Sequence, residues 1–250
     1  MERPLQDKSV LITGGAKRVG AAICRRLHAA GANLVIHYRS SRDEAAALAE
    51  ELNRHRAGSA RLAQADLLDT ARLPSLVQAA IDAYGRLDVL VNNASSFFPT
   101  PVGHIDETAW NDLIGSNLKA PLFLSQAAAR GLRETHGCVV NITDIHAERP
   151  MGSYLVYSIA KAGLTALTRG LARELGPEVR VNGVAPGAII WPEDDEWHDG
   201  KLQAEILDTV FLKRIGEPDD IARAVAFLVC DAPYVTGQIL AVDGGRSVSL

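Results

Sequence analysis

Residues 8–13 (KSVLIT) form an apolar run that ends in a glycine pair and leads into VGAAICRRLHAA, Val19 to Ala30, where apolar residues recur at helical spacing. A buried strand, a tight glycine turn and a helix, in that order, commit the chain to a crossover that lays its next strand beside the first. That strand follows Gly31 at residues 33–38 (NLVIHY). The pattern then repeats: helix 43–56, strand 60–65 ending at Asp66, helix 70–84, strand 87–92. Crossovers of this kind are nearly always right-handed, so a parallel sheet is predicted. The second half continues with a long helix over 107–134, strand 138–143, helix 154–175, strand 179–184, helix 219–230 and a last strand at 238–242. The expectation is one α/β domain spanning residues 1–250. One irregular segment stands out, from Pro186 to about Asp208, rich in acids and carrying Trp191 and Trp197. Long loops inside compact domains are usually functional, so residues 186–210 are expected to form a substrate lid.

Bulk properties narrow the class. A hydrophobic fraction of 47% can fill a large core, and a formal charge of −4 gives no reason to expect nucleic acid or an anionic membrane as partner. No run of 18 apolar residues occurs. MERPLQDKSVLITGG lacks the long apolar core of a secretory signal. Cys24, Cys138 and Cys230 are far apart and show no metal or disulfide spacing, so no metal is expected and a reduced, cytoplasmic setting is.

The chemistry concentrates in residues 143–161, TDIHAERPMGSYLVYSIAK. Tyr157 and Lys161 fall on one helix face. An ammonium beside a phenol favours the phenolate, so the pair is expected to act as a general acid with a lowered tyrosine pKa. Asp144 follows the strand CVVNI, at the carboxyl edge where open α/β sheets bind ligands. It could instead be a strand-end cap. The first turn, TGGAKRVG, follows a strand and opens a helix, the context of a dinucleotide site. Gly14 would make the turn and Gly20 the close packing, while Arg18 adds charge beside a pyrophosphate. After the second strand, Tyr38-Arg39-Ser40-Ser41 presents no acid for a ribose hydroxyl. Arg39 with two serines suits a 2′-phosphate, which predicts NADPH over NADH. Asp66 could accept from adenine or cap the following turn.

Taken together, T-G-x-x-x-R-x-G, Asn92-Asn93-Ala94, Asn117, Y-x-x-x-K, Pro186-Gly187 and VDGG (Val242 to Gly245) resemble the short-chain dehydrogenase/reductases over the whole chain and in order. The resemblance implies a Rossmann fold with a seven-stranded parallel sheet in the order 3-2-1-4-5-6-7, and commonly a homotetramer. It implies cofactor contacts from Gly14, Arg18, Val19, Tyr38, Arg39, Ser40, Ser41, Asp66, Leu67, Asn93, Ala94, Ser95, Tyr157, Lys161, Pro186 and Gly187. It also implies a catalytic set of Asn117, Tyr157 and Lys161, the asparagine holding a relay water.

Asp144 departs from the family, which usually has serine there. A carboxylate would repel an alkoxide forming on a ketone, whereas it suits the N–H of a nitrogen heterocycle. TGGAKRVG, IHYRSS and NNASSFFPTP, with Asp144, are similar to the pteridine reductases, and the acidic loop and DGGR ending to dihydromonapterin reductases. That likeness implies NADPH-dependent reduction of dihydropterins, in some members also of folates. Substrate contacts are expected from Arg18, Ser95, Phe97, Asp144 and Tyr157, with the pterin stacked on Phe97. Phe97 could also be plain packing and Ser95 a turn residue. His146 reads as a surface histidine. Ala188-Ile189-Ile190 stand where the family often has a substrate-touching serine. Two other readings remain: a reductase of another carbonyl or imine such as a ketoacyl thioester, and a non-catalytic NADP(H) sensor.

Overall fold

The computed structural model describes residues 3–191, 197 and 199–249. Its sheet holds β1 (Ser9–Ile12), β2 (Asn33–Tyr38), β3 (Ala60–Gln64), β4 (Val89–Asn92), β5 (Cys138–Ile142), β6 (Arg180–Pro186) and β7 (Ile239–Val242). The order across the sheet is β3-β2-β1-β4-β5-β6-β7, with every neighbouring pair parallel. This is the single-domain Rossmann arrangement expected from the sequence. The chain reverses direction of travel between β1 and β4, which opens a crevice at the carboxyl ends of those strands.

The helices are α1 (Arg18–Ala29), α2 (Arg42–His55), α3 (Leu73–Tyr84), α4 (Glu107–Ile114), α5 (Ala120–Thr135), α6 (Leu155–Leu175), α7 (Gly200–Thr209) and α8 (Pro218–Cys230). Alternation along the strands divides the core between two faces. Val10, Ile12, Leu34 and Ile36 pack with Ile23 and Leu27 of α1 and Ile221 and Val225 of α8. Leu11, Val35, Leu90 and Val139 point the other way, onto Leu76 of α3, Leu124 and Leu132 of α5 and Leu171 of α6. Strands covered on both faces explain why their sequences read as unbroken apolar runs.

Two expectations need correction. The helix expected over 107–134 is split, because residues Gly115–Lys119 form a π turn between α4 and α5. The apolar spacing continues through the break, so periodicity does not reveal it. Turns of this kind often lie at functional sites, and this one carries Asn117. The segment expected to be irregular up to Asp208 contains α7, whose start is capped by Asp199, with Lys201 N donating to its Oδ1 at 2.9 Å. Residues 192–196 and 198 of the expected lid lie outside the described residues. Among the described residues no helix is long and apolar enough to cross a membrane. Cys24 and Cys138 are buried, whereas Cys230 is half-buried.

The first turn depends on close contact between α1 and its own strand. A Cβ on Gly20 would lie 2.2 Å from the Gly14 carbonyl oxygen and 2.8 Å from Asn93 Nδ2. Gly20→Ala should therefore destabilise the protein by about 3 kcal/mol. Gly170→Ala on α6 provides the contrast, since its Cβ would meet nothing within 4 Å; helix propensity favours it by about 1 kcal/mol. Urea unfolding of both variants checks the pair. Equal midpoints would mean that the α1 contact is not tight.

Candidate functional site

The glycine turn is clamped by the segment that leaves β4. Thr13 Oγ1 accepts from Asn93 N at 2.9 Å and from Ala94 N at 3.1 Å. Asn93 Nδ2 donates back to Thr13 O at 2.9 Å and Gly14 O at 3.0 Å. Gly14 has φ +60°, and a Cβ there would meet Ala94 Cα at 2.9 Å, so only glycine fits comfortably. Deeper in the sheet, Asn92 Nδ2 donates to Asn141 Oδ1 at 2.8 Å and Asn141 Nδ2 to Thr168 Oγ1 at 2.9 Å. That buried polar chain ties β4 to β5 and to α6, the helix that bears Tyr157 and Lys161.

These ties border a cavity of about 720 Å³ across the carboxyl ends of the strands. Of the residues assigned from sequence, Gly14, Arg18, Val19, Tyr38, Arg39, Ser40, Ser41, Asp66, Leu67, Asn93, Ala94, Ser95, Phe97, Asp144, Tyr157, Lys161, Pro186 and Gly187 all line it. Asn117 does not. It is buried behind the 95–96 loop, with Nδ2 donating to Ser96 O and Leu113 O, each at 3.0 Å, and Oδ1 accepting from Ser95 Oγ at 2.7 Å. In this structure the Asn117 amide and the Ser95 hydroxyl bond each other.

One end of the cavity carries cationic and hydroxyl groups. Arg39, Ser40 and Ser41 lie there beside Lys17, which pairs with Glu44 at 2.5 Å. Tyr38 is buried against Ala16 and Ala45. Asp66 has one assigned role in view: its Oδ1 accepts from Leu68 N at 3.0 Å, capping the turn after β3. Gly187 sits where β6 and β7 converge, and a Cβ there would meet Asp243 Cα at 2.7 Å.

At the other end, Tyr157 Oη donates to Asp144 Oδ2 at 2.7 Å, and His146 N donates to Asp144 Oδ1 at 2.8 Å. Asp144 is thus both a cap of the following turn and the partner of the tyrosine, so the two readings of it coexist. Lys161 is buried; its Nζ donates to Ile142 O at 2.9 Å and lies 5.6 Å from the centre of the Tyr157 ring. This corrects the expected electrostatics. Burial first, then the charge and hydrogen bond of Asp144, push the Tyr157 phenol well above its ordinary pKa rather than below it. Burial brings the Lys161 ammonium down to about 8, with Asp144 acting in the opposite direction.

Phe97 does not stand open. It stacks on Tyr154 with ring centres 4.5 Å apart and meets Tyr157 edge-on at 4.9 Å. Trp197 closes the cluster 6.1 Å from Phe97. The 95–101 loop is pinned to the start of α6, with Thr100 N donating to Ser153 O at 2.6 Å and Val156 N to Thr100 Oγ1 at 3.2 Å. Arg18 has φ +49°, and its Nη2 reaches the carbonyls of Ile190 and Trp191, each at 3.2 Å. The guanidinium thereby ties the helix start to the segment after Gly187. His146 Nδ1 bonds the Arg149 carbonyl at 2.9 Å, at the surface. Sequence reading missed His37, Lys17 and Ser116 in the lining; His37 and Lys17 lie inside the motifs IHYRSS and TGGAKRVG but carry no role in that reading.

A family model described as enoyl-(acyl carrier protein) reductase matches residues 14–247. The chain belongs to the short-chain dehydrogenase/reductase family, and it is an oxidoreductase. Pteridine reductase 1 of Leishmania tarentolae is 36% identical, with 96% of each chain covered. A 3-oxoacyl-[acyl-carrier-protein] reductase of Staphylococcus aureus is 34% identical, covering 95% of this chain and 97% of its own. A putative ketoacyl reductase of the granaticin polyketide synthase of Streptomyces violaceoruber is 37% identical, over 94% of each.

Two titrations test the electrostatics. With its pKa raised, Tyr157 stays protonated below about pH 10, so Tyr157→Phe should leave the tyrosinate absorbance of the folded protein unchanged up to there; a lost transition at lower pH would contradict this. Lys161 gives a second test, because its proton leaves the folded chain near pH 8 and the unfolded chain near 10.5. Between those values the unfolded state binds more protons, so this lysine makes stability rise with pH by about 3 kcal/mol. Urea midpoints across that window should show the rise in the unmodified protein and lose that part of it in Lys161→Met.

Proposed function

We propose that the chain is an NADPH-dependent reductase of dihydropterins, with folates as a related substrate class. The observation that carries this reading is the half-buried 2.7 Å bond from Tyr157 Oη to Asp144 Oδ2 at the cavity wall. In the free protein burial first, and then Asp144, keep the proton on the phenol and make it a poor acid. A substrate bearing a ring N–H would donate to Asp144 in place of Tyr157. The carboxylate would then no longer oppose phenol ionisation, and the Tyr157 proton could pass to an adjacent ring nitrogen, assisted by the nearby Lys161 ammonium. A ketone offers no such donor, and the alkoxide forming on it would face the carboxylate. The same site therefore discriminates against the thioester ketones suggested by the oxoacyl reductase relatives.

The residues present fit NADPH. Gly14 and Gly20 leave no room for a Cβ against Ala94, Asn93 and the Gly14 carbonyl, the tight turn and close helix packing that a dinucleotide turn requires. Arg39, Ser40 and Ser41 would hold the 2′-phosphate, Asn93 and Ala94 the groove wall, and Lys161 the nicotinamide ribose. When bound, the cofactor supplies the hydride. Phe97, fixed by Tyr154, would present its ring to the pterin, Ser95 and Arg18 would bond its polar edge, and Asn117 would set the position of Ser95. Residues 186–210 would close over the substrate, with Arg18 as a tether.

We also propose a homotetramer in the cytoplasm. Leu122 on α5, Leu155 and Ile159 on α6, Phe227 on α8 and Leu240 on β7 are exposed apolar side chains. Exposed apolar side chains on several elements suit more than one two-fold contact. Sedimentation of the purified protein should give four chains; a monomer would contradict this.

NADPH oxidation, followed with dihydrobiopterin, dihydromonapterin, dihydrofolate and an acetoacetyl thioester in parallel, tests the activity. Turnover is expected with the dihydropterins and not with the thioester. Turnover with the thioester alone would end the pterin reading. Arg39→Asp should lower the kcat/KM for NADPH by about a hundredfold, the loss of a charge-assisted phosphate contact; equal use of NADH by the unmodified protein would remove the case for a 2′-phosphate site.

A further inference from the structure

His37 is the penultimate residue of β2 and only 1% exposed, yet neither the fold nor the proposed chemistry accounts for a histidine there. Both ring nitrogens are engaged, and their partners fix the tautomer. Gly14 N–H donates to Nδ1 at 3.1 Å, so Nδ1 carries a lone pair. Nε2 lies 3.1 Å from Ala65 O, a carbonyl that can only accept, so Nε2 carries the proton. The backbone of the same residue adds a third tie, because Gly15 N donates to His37 O at 3.0 Å. One residue thus joins the glycine turn, the end of β2 and the end of β3, three segments that border the dinucleotide end of the cavity.

We propose that His37 is a positioning residue for the cofactor: as a neutral Nε2–H imidazole it takes up the Gly14 amide and so sets the shape of the turn that receives the pyrophosphate. The inference rests on the cofactor reading above. An imidazolium would point a second N–H at the Gly14 amide and break the tie. Burial keeps the ring neutral, bringing its pKa down to about 4 although Ala65 O and the Asp66 carboxylate favour the charged form. An apolar residue would fill the space and leave the Gly14 N–H without this acceptor.

The test compares the full-length protein with His37→Phe, which removes both ring bonds, and His37→Asn, whose Oδ1 can stand in for Nδ1. His37→Phe should raise the Kd and KM for NADPH about tenfold while kcat stays within about twofold, since only cofactor placement is affected. His37→Asn should restore most of that loss. In protein without cofactor, exchange of the Gly14 amide should be about tenfold faster in His37→Phe, the loss of one protecting bond. Nitrogen NMR of the unmodified protein should show His37 as a single Nε2–H tautomer that does not titrate from about pH 5.5 to 8, a readout that needs no variant to fold. A His37→Phe protein with reduced stability but unchanged Kd and KM would overturn the proposal, leaving a purely structural residue; so would a titrating His37. If the unmodified protein bound no NADPH, the cofactor reading itself would fall and the proposal with it, while Gly14 exchange would still report whether His37 holds the turn.

Discussion

The parallel pairing of β4 with β1 on one side and β5 on the other is the constraint on which the site depends. It is fixed by Val91 opposite Ile12 and by Asn92 opposite Asn141. Backbone register alone would place the strand ends at one level. The side chains of Thr13, Asn93, Asn92 and Asn141 go further, because their hydrogen bonds lock the segments that leave those strands. Buried polar chains of this kind stabilise only when nearly every member is bonded. Here they turn a common fold into a specific crevice, with the glycine turn at one end and Asp144 at the other.

Within that crevice the decisive feature is a carboxylate where the family usually has a hydroxyl. A serine would donate to a carbonyl oxygen. Asp144 instead accepts, from Tyr157 and from the His146 amide, and it adds to burial in raising the phenol's pKa. The free site is therefore set with the proton held on tyrosine. In the proposed reaction a substrate with its own N–H donor would relieve that hold. The fold alone would permit many chemistries; the proposed reading rests on this one carboxylate to narrow them.

Much of this was legible in the chain. β2 spans the residues read from its apolar run, and the other strands agree to within two residues, because strands buried on both faces and bounded by glycine or a helix leave an unambiguous pattern. Nearly all the assigned site residues meet in one cavity, since the motifs mark strand ends and strand ends converge in a parallel sheet. The remainder depended on contacts between distant segments. The π turn at Asn117 keeps the apolar spacing of a helix, so no period betrays it. The Y-x-x-x-K spacing places two side chains on one face but says nothing of Ile142 O, which takes the Lys161 ammonium, or of the burial and the Asp144 carboxylate that together reverse the shift on Tyr157. Arg18 reaches carbonyls more than 170 positions away. His37 sits in an apolar strand, where a histidine reads as core.

The claim that Asp144 selects a nitrogen heterocycle is tested most directly by replacing it with the family's serine. NADPH oxidation by Asp144→Ser would be measured with a dihydropterin and with an acetoacetyl thioester, beside the unmodified protein. The ratio of the two kcat/KM values should swing toward the thioester by about a hundredfold or more, the worth of one well-placed charged hydrogen bond. An Asp144→Ser protein that reduces the dihydropterin as well as before would show that the carboxylate does not choose the substrate.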